Sequence, residues 1–160
     1  MYDLMIIGSG PAGISAALTA KARNLNFIWF GSRALSTKIE KAEKIMNYPG
    51  LPAVTGSEMQ SVFLKQIDDC GITITESQVN SIYDCGGYFA AGADNEIYEA
   101  KAVIMTVGMT TTREIEGEAR LLGCGVSYCA TCDGALYKNK DIAVICASPK
   151  FEDACAGVRR

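Results

Sequence analysis

Two cysteines separated by two residues, Cys129 and Cys132, stand in the run CATCDG at 129–134. A C-x-x-C pair closes a small disulfide ring and reopens it by exchange with another dithiol. At the start of a helix, one sulfur gains a lowered pKa and stays partly thiolate near neutral pH. Asp133 follows directly, and a carboxyl there can give or take the proton that exchange requires. Two other readings stay open: zinc ligands joined by Cys124, and two inert packing cysteines. The zinc reading lacks a second C-x-x-C, and the chain holds no histidine. Without histidine there is also no Ser-His-Asp or Cys-His catalysis. Seven cysteines are present in all; an odd count, with no signal-peptide pattern at the N-terminus, argues against a secreted disulfide framework.

A second group of residues suits a phosphate. GSGPAG (Gly8, Ser9, Gly10, Pro11, Ala12, Gly13) follows the short apolar run Tyr2–Ile7 and precedes ISAALTAKAR. In a G-x-G-x-x-G loop the first glycine permits the tight turn and the second admits a pyrophosphate to the backbone. The third lets helix and strand pack closely, and the helix N-terminus then faces the phosphates. The second strand, Asn26–Phe30, should end in an acid that holds a ribose. It ends instead in Gly31-Ser32-Arg33. Arg33 is read either as a solvated arginine or as a cation for an NADP 2′-phosphate.

These residues need an α/β scaffold. Strand, glycine loop, helix and strand open the chain, with Ile14, Ala17, Leu18 and Ala22 on one helical face. Ser57 with Gln60 fits a capping box, starting a helix that buries Met59, Val62, Phe63 and Ile67 and stops at Gly71. Strands are expected at Ile72–Thr75, Val79–Tyr83, Tyr88–Ala91, Ile97–Tyr98, Ala102–Val107 and Ile142–Cys146, with a hairpin at Gly86-Gly87. Apolar residues make up 49% and charged residues 21%, which suits a globular chain with a core. A net charge of −3 and the lack of a basic stripe argue against nucleic acid. No apolar run approaches a membrane span, and a cytoplasmic location is expected.

GSGPAG, NYPG at 47–50, TG at 55–56, TVG at 106–108 and CATCDG at 129–134 occur in an order that resembles the low-molecular-weight thioredoxin reductase family. The resemblance runs through nearly all of the chain. It implies a Rossmann-like, glutathione-reductase-type FAD-binding domain over 1–112. Residues 113–160 would begin a second α/β domain that carries the C-x-x-C and is left incomplete, since family reductases are longer. It implies FAD at Gly8, Gly10 and Gly13, with Asn47, Thr106 and Gly108 close to the cofactor. It implies that Cys132 faces the flavin, that Cys129 attacks thioredoxin, and that Asp133 handles the proton. A homodimer is expected on the same ground.

Two stretches depart from the family pattern. Leu35-Ser36-Thr37-Lys38 replaces a Gly-Gly-Gln stretch, leaving some flavin contacts unassigned. Cys146-Ala147-Ser148-Pro149-Lys150 replaces the glycine-rich NADPH loop. Side chains on Cys146 and Ser148 would crowd a phosphate, and Pro149 removes a backbone donor. The chain is therefore similar to the nicotinamide-independent members, which take electrons from ferredoxin. Lys38, Lys41 and Lys44 are read either as a patch for that donor or as a solvated helix face. An NADPH-dependent enzyme with an atypical loop and a non-catalytic flavin/dithiol redox sensor stay open as alternatives.

Overall fold

Tyr2–Ile7 forms strand β1, whose last four residues are buried. A strand covered on both faces has no polar side to show, which accounts for its unbroken apolar run. Leu4 and Ile6 point into one hydrophobic cluster, and Met5 and Ile7 into another. The computed structural model describes residues 1–108, 115–122, 124–127 and 134–145.

Helix α1 spans Pro11–Ala22 and strand β2 spans Phe27–Phe30. Ile14, Ala17 and Ala20 face the core, while Ala22 is exposed. Two helices follow, α2 (Thr37–Glu40) and α3 (Gly56–Asp69). Next come β3 (Val79–Asp84), β4 (Phe89–Ala93) and β5 (Glu96–Met105). A short helix α4 (Glu118–Leu121) and one 3-10 turn (Gly134–Tyr137) complete the described elements.

The five strands lie in one sheet in the order β2-β1-β5-β4-β3. β1 runs parallel to β2 and to β5, with Ile7 opposite Phe30 on one side and Met105 on the other. β3, β4 and β5 form an antiparallel meander. β5 belongs to both parts, because Ala100 pairs with Phe89 and with Tyr2. The sequence suggests two strands here, at 97–98 and 102–107. The small, polar run Glu99–Lys101 between them continues the ladder, so they fuse into one. Phe30 meets Tyr98 edge-on at 5.0 Å, which ties the meander to the parallel part. The opposite face is covered by α1 and α3, with Trp29, Met59, Phe63 and Ile67 at its centre.

Several expectations are corrected. Residues 72–75 form no strand; Thr75 alone makes a parallel bridge, to Phe30. Residues 142–145 form no strand either, and Cys146 lies outside the described residues. Ile142, Val144 and Ile145 are exposed: an apolar run becomes a strand only with a partner for its backbone, and no described strand lies beside it. The helix cap also moves by two residues. Thr55, not Ser57, is the N-cap of α3, and it forms a reciprocal capping box with Glu58. The Glu58 amide donates to Thr55 Oγ1 at 3.2 Å, and the Thr55 amide donates to Glu58 Oε2 at 2.8 Å. Gln60 instead donates to the Ser36 carbonyl. Val62 is exposed rather than buried, since the buried stripe runs through Met59, Phe63 and Ile67.

Candidate dinucleotide and disulfide site

The carboxyl ends of β1, β2 and β5 lie side by side, and each runs into a glycine-bearing loop: Gly8–Gly13, Gly31–Arg33 and Thr106–Gly108. From β1 the chain crosses to β2 on one side, while β5 lies on the other. A parallel sheet opens a crevice for ligands at such a switch point.

Each glycine of the first loop has a distinct steric role. Gly8 has φ +111°, and a Cβ there would lie 2.3 Å from the Thr106 carbonyl oxygen. A Cβ on Gly13 would lie 2.0 Å from the Gly8 carbonyl oxygen, so α1 approaches β1 closer than any side chain allows. Gly10 differs: nothing lies within 4 Å of a Cβ placed on it. Its bare backbone therefore faces open space, which is the surface a pyrophosphate needs. Gly10 is the N-cap of α1 and makes no side-chain cap, and Pro11 sits in the first turn. The first-turn amides are left without a side-chain acceptor at the positive end of a twelve-residue helix.

Neighbouring side chains fix this cradle. The Gly8 carbonyl accepts from Trp29 Nε1 at 2.8 Å and from Thr106 Oγ1 at 3.0 Å. Thr106 Oγ1 also reaches the Ile7 carbonyl at 2.9 Å. Thr106 thus locks the end of β5 to the turn after β1. Ser9 is buried; its hydroxyl donates to the Leu35 carbonyl and accepts from the Ser32 amide at 2.9 Å. That side chain joins two loops and points into the protein. Ala12 is exposed at the mouth of the loop, and Gly108 is exposed with φ +68°. The residues present fit a dinucleotide pyrophosphate.

Asn47 stands on the loop between Ile45 and Val54, which bridge each other. It is exposed and makes no hydrogen bond among the described residues. Beside it Tyr48 packs edge-on against Phe63 at 5.4 Å. A cavity of about 300 Å³ lies between α1, α3 and this turn, lined by Ile14, Leu18, Tyr48, Leu51, Phe63 and Gln66. No residue of the glycine loop lines it.

Arg33 is not left to solvent alone. Its guanidinium forks onto Asp68 of α3, with contacts of 3.0 Å. That hydrogen-bonded pairing raises the arginine pKa and holds the Asp68 carboxyl below its ordinary value. Both groups are about half exposed, so the pair positions more than it stabilises. Lys38 lies in α2, Lys41 caps its C-terminus and Lys44 follows it.

Cys129, Cys132 and Asp133 lie outside the described residues, as does the loop 146–150. The described element that follows the pair is one 3-10 turn, Gly134–Tyr137, not a long α-helix. Sequence reasoning missed Trp29, whose indole holds the Gly8 carbonyl, and Glu76, which lies against Ser32 and Arg33. The signal for Trp29 was a donor-bearing aromatic in an otherwise apolar strand. Nothing local marks Glu76.

The fold and cradle define a Rossmann-like α/β dinucleotide-binding unit with a mixed sheet. A family model described as pyridine nucleotide-disulphide oxidoreductase matches residues 2–149, and the chain belongs to that family. The family's flavoenzymes use FAD, in line with the cofactor expected from the sequence. Thioredoxin reductase of Bacillus subtilis is 32% identical over 146 residues, covering 91% of this chain and 46% of the relative. Among solved structures, a ferredoxin-flavin thioredoxin reductase from Clostridium acetobutylicum is 44% identical with a TM-score of 0.68. That match covers 98% of this chain and 55% of the other. Thioredoxin reductase from Streptococcus pyogenes is 35% identical with a TM-score of 0.73, covering 86% and 45%. The chain thus spans about half the length of these relatives. No helix among the described residues is long and apolar enough to cross a membrane.

Proposed function

We propose that this chain is the FAD-binding and disulfide-bearing part of a flavin-dependent thioredoxin-disulfide reductase, with ferredoxin rather than NADPH as electron donor. The observation that carries the reading is the cradle at the switch point. Of the three glycines in the first loop, Gly8 and Gly13 are closed by neighbouring backbone and Gly10 is open. CATCDG, 21 residues beyond the TVG run that closes the cradle, supplies the dithiol.

When bound, FAD supplies a two-electron carrier between donor and disulfide. The chain's residues do the rest. The first-turn amides of α1 hold the pyrophosphate, and Thr106 fixes the loop that receives it. The Cys129–Cys132 disulfide takes up two electrons and two protons and becomes a dithiol. The Cys129 thiolate then attacks the thioredoxin disulfide, and one thioredoxin sulfur leaves as a thiolate. Cys132 attacks the mixed disulfide, releases reduced thioredoxin and restores the ring. Asp133 takes or returns the proton on the adjacent sulfur. Cytoplasmic placement and a homodimer belong to the same proposal.

The glycine-free run at 146–150 and the similarity to a ferredoxin-linked structure support the choice of donor. Anaerobic titration of the full-length protein tests it. Reduced ferredoxin should bleach the flavin band, while micromolar NADPH should leave it unchanged. Rapid bleaching by NADPH would reverse the choice of donor. A dithiol that turns over no thioredoxin with either donor would favour the sensor reading.

A further inference from the structure

Strand β2 ends in Phe30-Gly31-Ser32-Arg33, with no acid where a dinucleotide fold holds the adenosine ribose. The fold delivers a carboxylate to that corner from another part of the chain. Thr75 pairs with the end of β2: its amide donates to the Trp29 carbonyl at 2.7 Å, and its carbonyl accepts from the Gly31 amide at 3.1 Å. The next residue, Glu76, is thereby set against the loop that follows β2. Glu76 Oε1 accepts from the Arg33 amide at 2.9 Å and from Ser32 Oγ at 3.4 Å. Its other oxygen has no hydrogen-bond partner among the described residues.

The corner is held in register with the phosphate loop. The Ser32 amide donates to Ser9 Oγ, and Ser9 lies between Gly8 and Gly10. A Cβ on Gly31 would lie 2.5 Å from that of Ser9, so the two loops touch. The nearby cation does not ion-pair with Glu76, because the Arg33 guanidinium is forked onto Asp68. The result is an exposed carboxylate with a free oxygen, at a fixed offset from the pyrophosphate cradle.

We propose that Glu76 accepts the hydrogen bond of the adenosine ribose 2′-hydroxyl, replacing the acid missing from the end of β2. Its charge also opposes a 2′-phosphate at this position, so the first loop takes FAD and not NADP. This rests on the FAD reading of the cradle and adds a residue to it.

The test uses apoprotein prepared from the full-length holoenzyme. It is reconstituted with FAD and with the FAD analogue built on 2′-deoxyadenosine, and binding is followed by quenching of flavin fluorescence. The unaltered protein should hold FAD roughly tenfold or more tighter than the analogue, as expected for a hydrogen bond to a charged acceptor. In Glu76→Ala the two ligands should bind within about twofold of each other, and in Glu76→Gln, whose neutral amide can still bond the hydroxyl, the ratio should fall below that of the unaltered protein. Glu76→Gln keeps an oxygen for the Arg33 amide, and the ratio within one variant cancels any general loss of affinity. Equal discrimination in unaltered and variant proteins, or none in the unaltered protein, overturns the role of Glu76 while leaving FAD binding intact. Failure of the unaltered protein to bind either flavin overturns the FAD reading itself.

Discussion

A methyl group at Gly13 would sit 2.0 Å from the Gly8 carbonyl oxygen, whereas one at Gly10 would meet nothing within 4 Å. The two alanine variants should therefore fail in different ways. Gly13→Ala should lower apoprotein stability by about 1–3 kcal/mol, the usual cost of forcing extra atoms into packed structure. Gly10→Ala should leave the thermal midpoint of the apoprotein unchanged and weaken FAD binding at least tenfold. Differential scanning fluorimetry beside a flavin titration separates the two effects. The steric roles of Gly8 and Gly13 were legible in the sequence because strand, loop and helix are contiguous there. The roles of Ser9 and Arg33 were not. Ser9 is fixed by Leu35 and Ser32, and Arg33 by Asp68, partners 23 to 35 residues away. Spacing within a motif carries no information about such partners.

At the scale of elements, the start of α3 shows how two local signals compete. Thr55-x-x-Glu58 and Ser57-x-x-Gln60 both satisfy the capping-box pattern. The first prevails: Thr55 is the residue with extended backbone (φ −73°, ψ 160°), and Glu58 brings a negative charge to the helix N-terminus. Its carboxyl is held below the ordinary value chiefly by the Thr55 amide. Thr55→Ala should cost about 1 kcal/mol in urea unfolding, whereas Ser57→Ala should stay within about 0.5 kcal/mol. The reverse ranking would place the cap at Ser57 after all. Strand existence was legible for β1, β2 and the glycine-turned hairpin, because apolar runs and turn residues coincide there. The runs at 72–75 and 142–145 look alike in composition. Only backbone pairing separates strand from coil, and pairing is set by the rest of the sheet.

At the scale of the whole molecule, the described residues build one sheet with a parallel nucleotide-binding side and an antiparallel meander sharing β5. The order of motifs made the family legible, and the matched span of residues 2–149 agrees with it. The electron path was legible only as chemistry. A dithiol, a neighbouring carboxyl and a phosphate cradle can be read from residue types, but their distances depend on how segments far apart in sequence are brought together. The account turns on whether flavin and dithiol form one redox unit. Anaerobic titration of the full-length protein with dithionite, followed at the flavin band, measures this directly. The account predicts uptake of about four electrons per chain, two at FAD and two at Cys129–Cys132, falling to about two in Cys132→Ser. Uptake of only about two electrons by the unaltered protein, or no flavin absorbance at all, would contradict it.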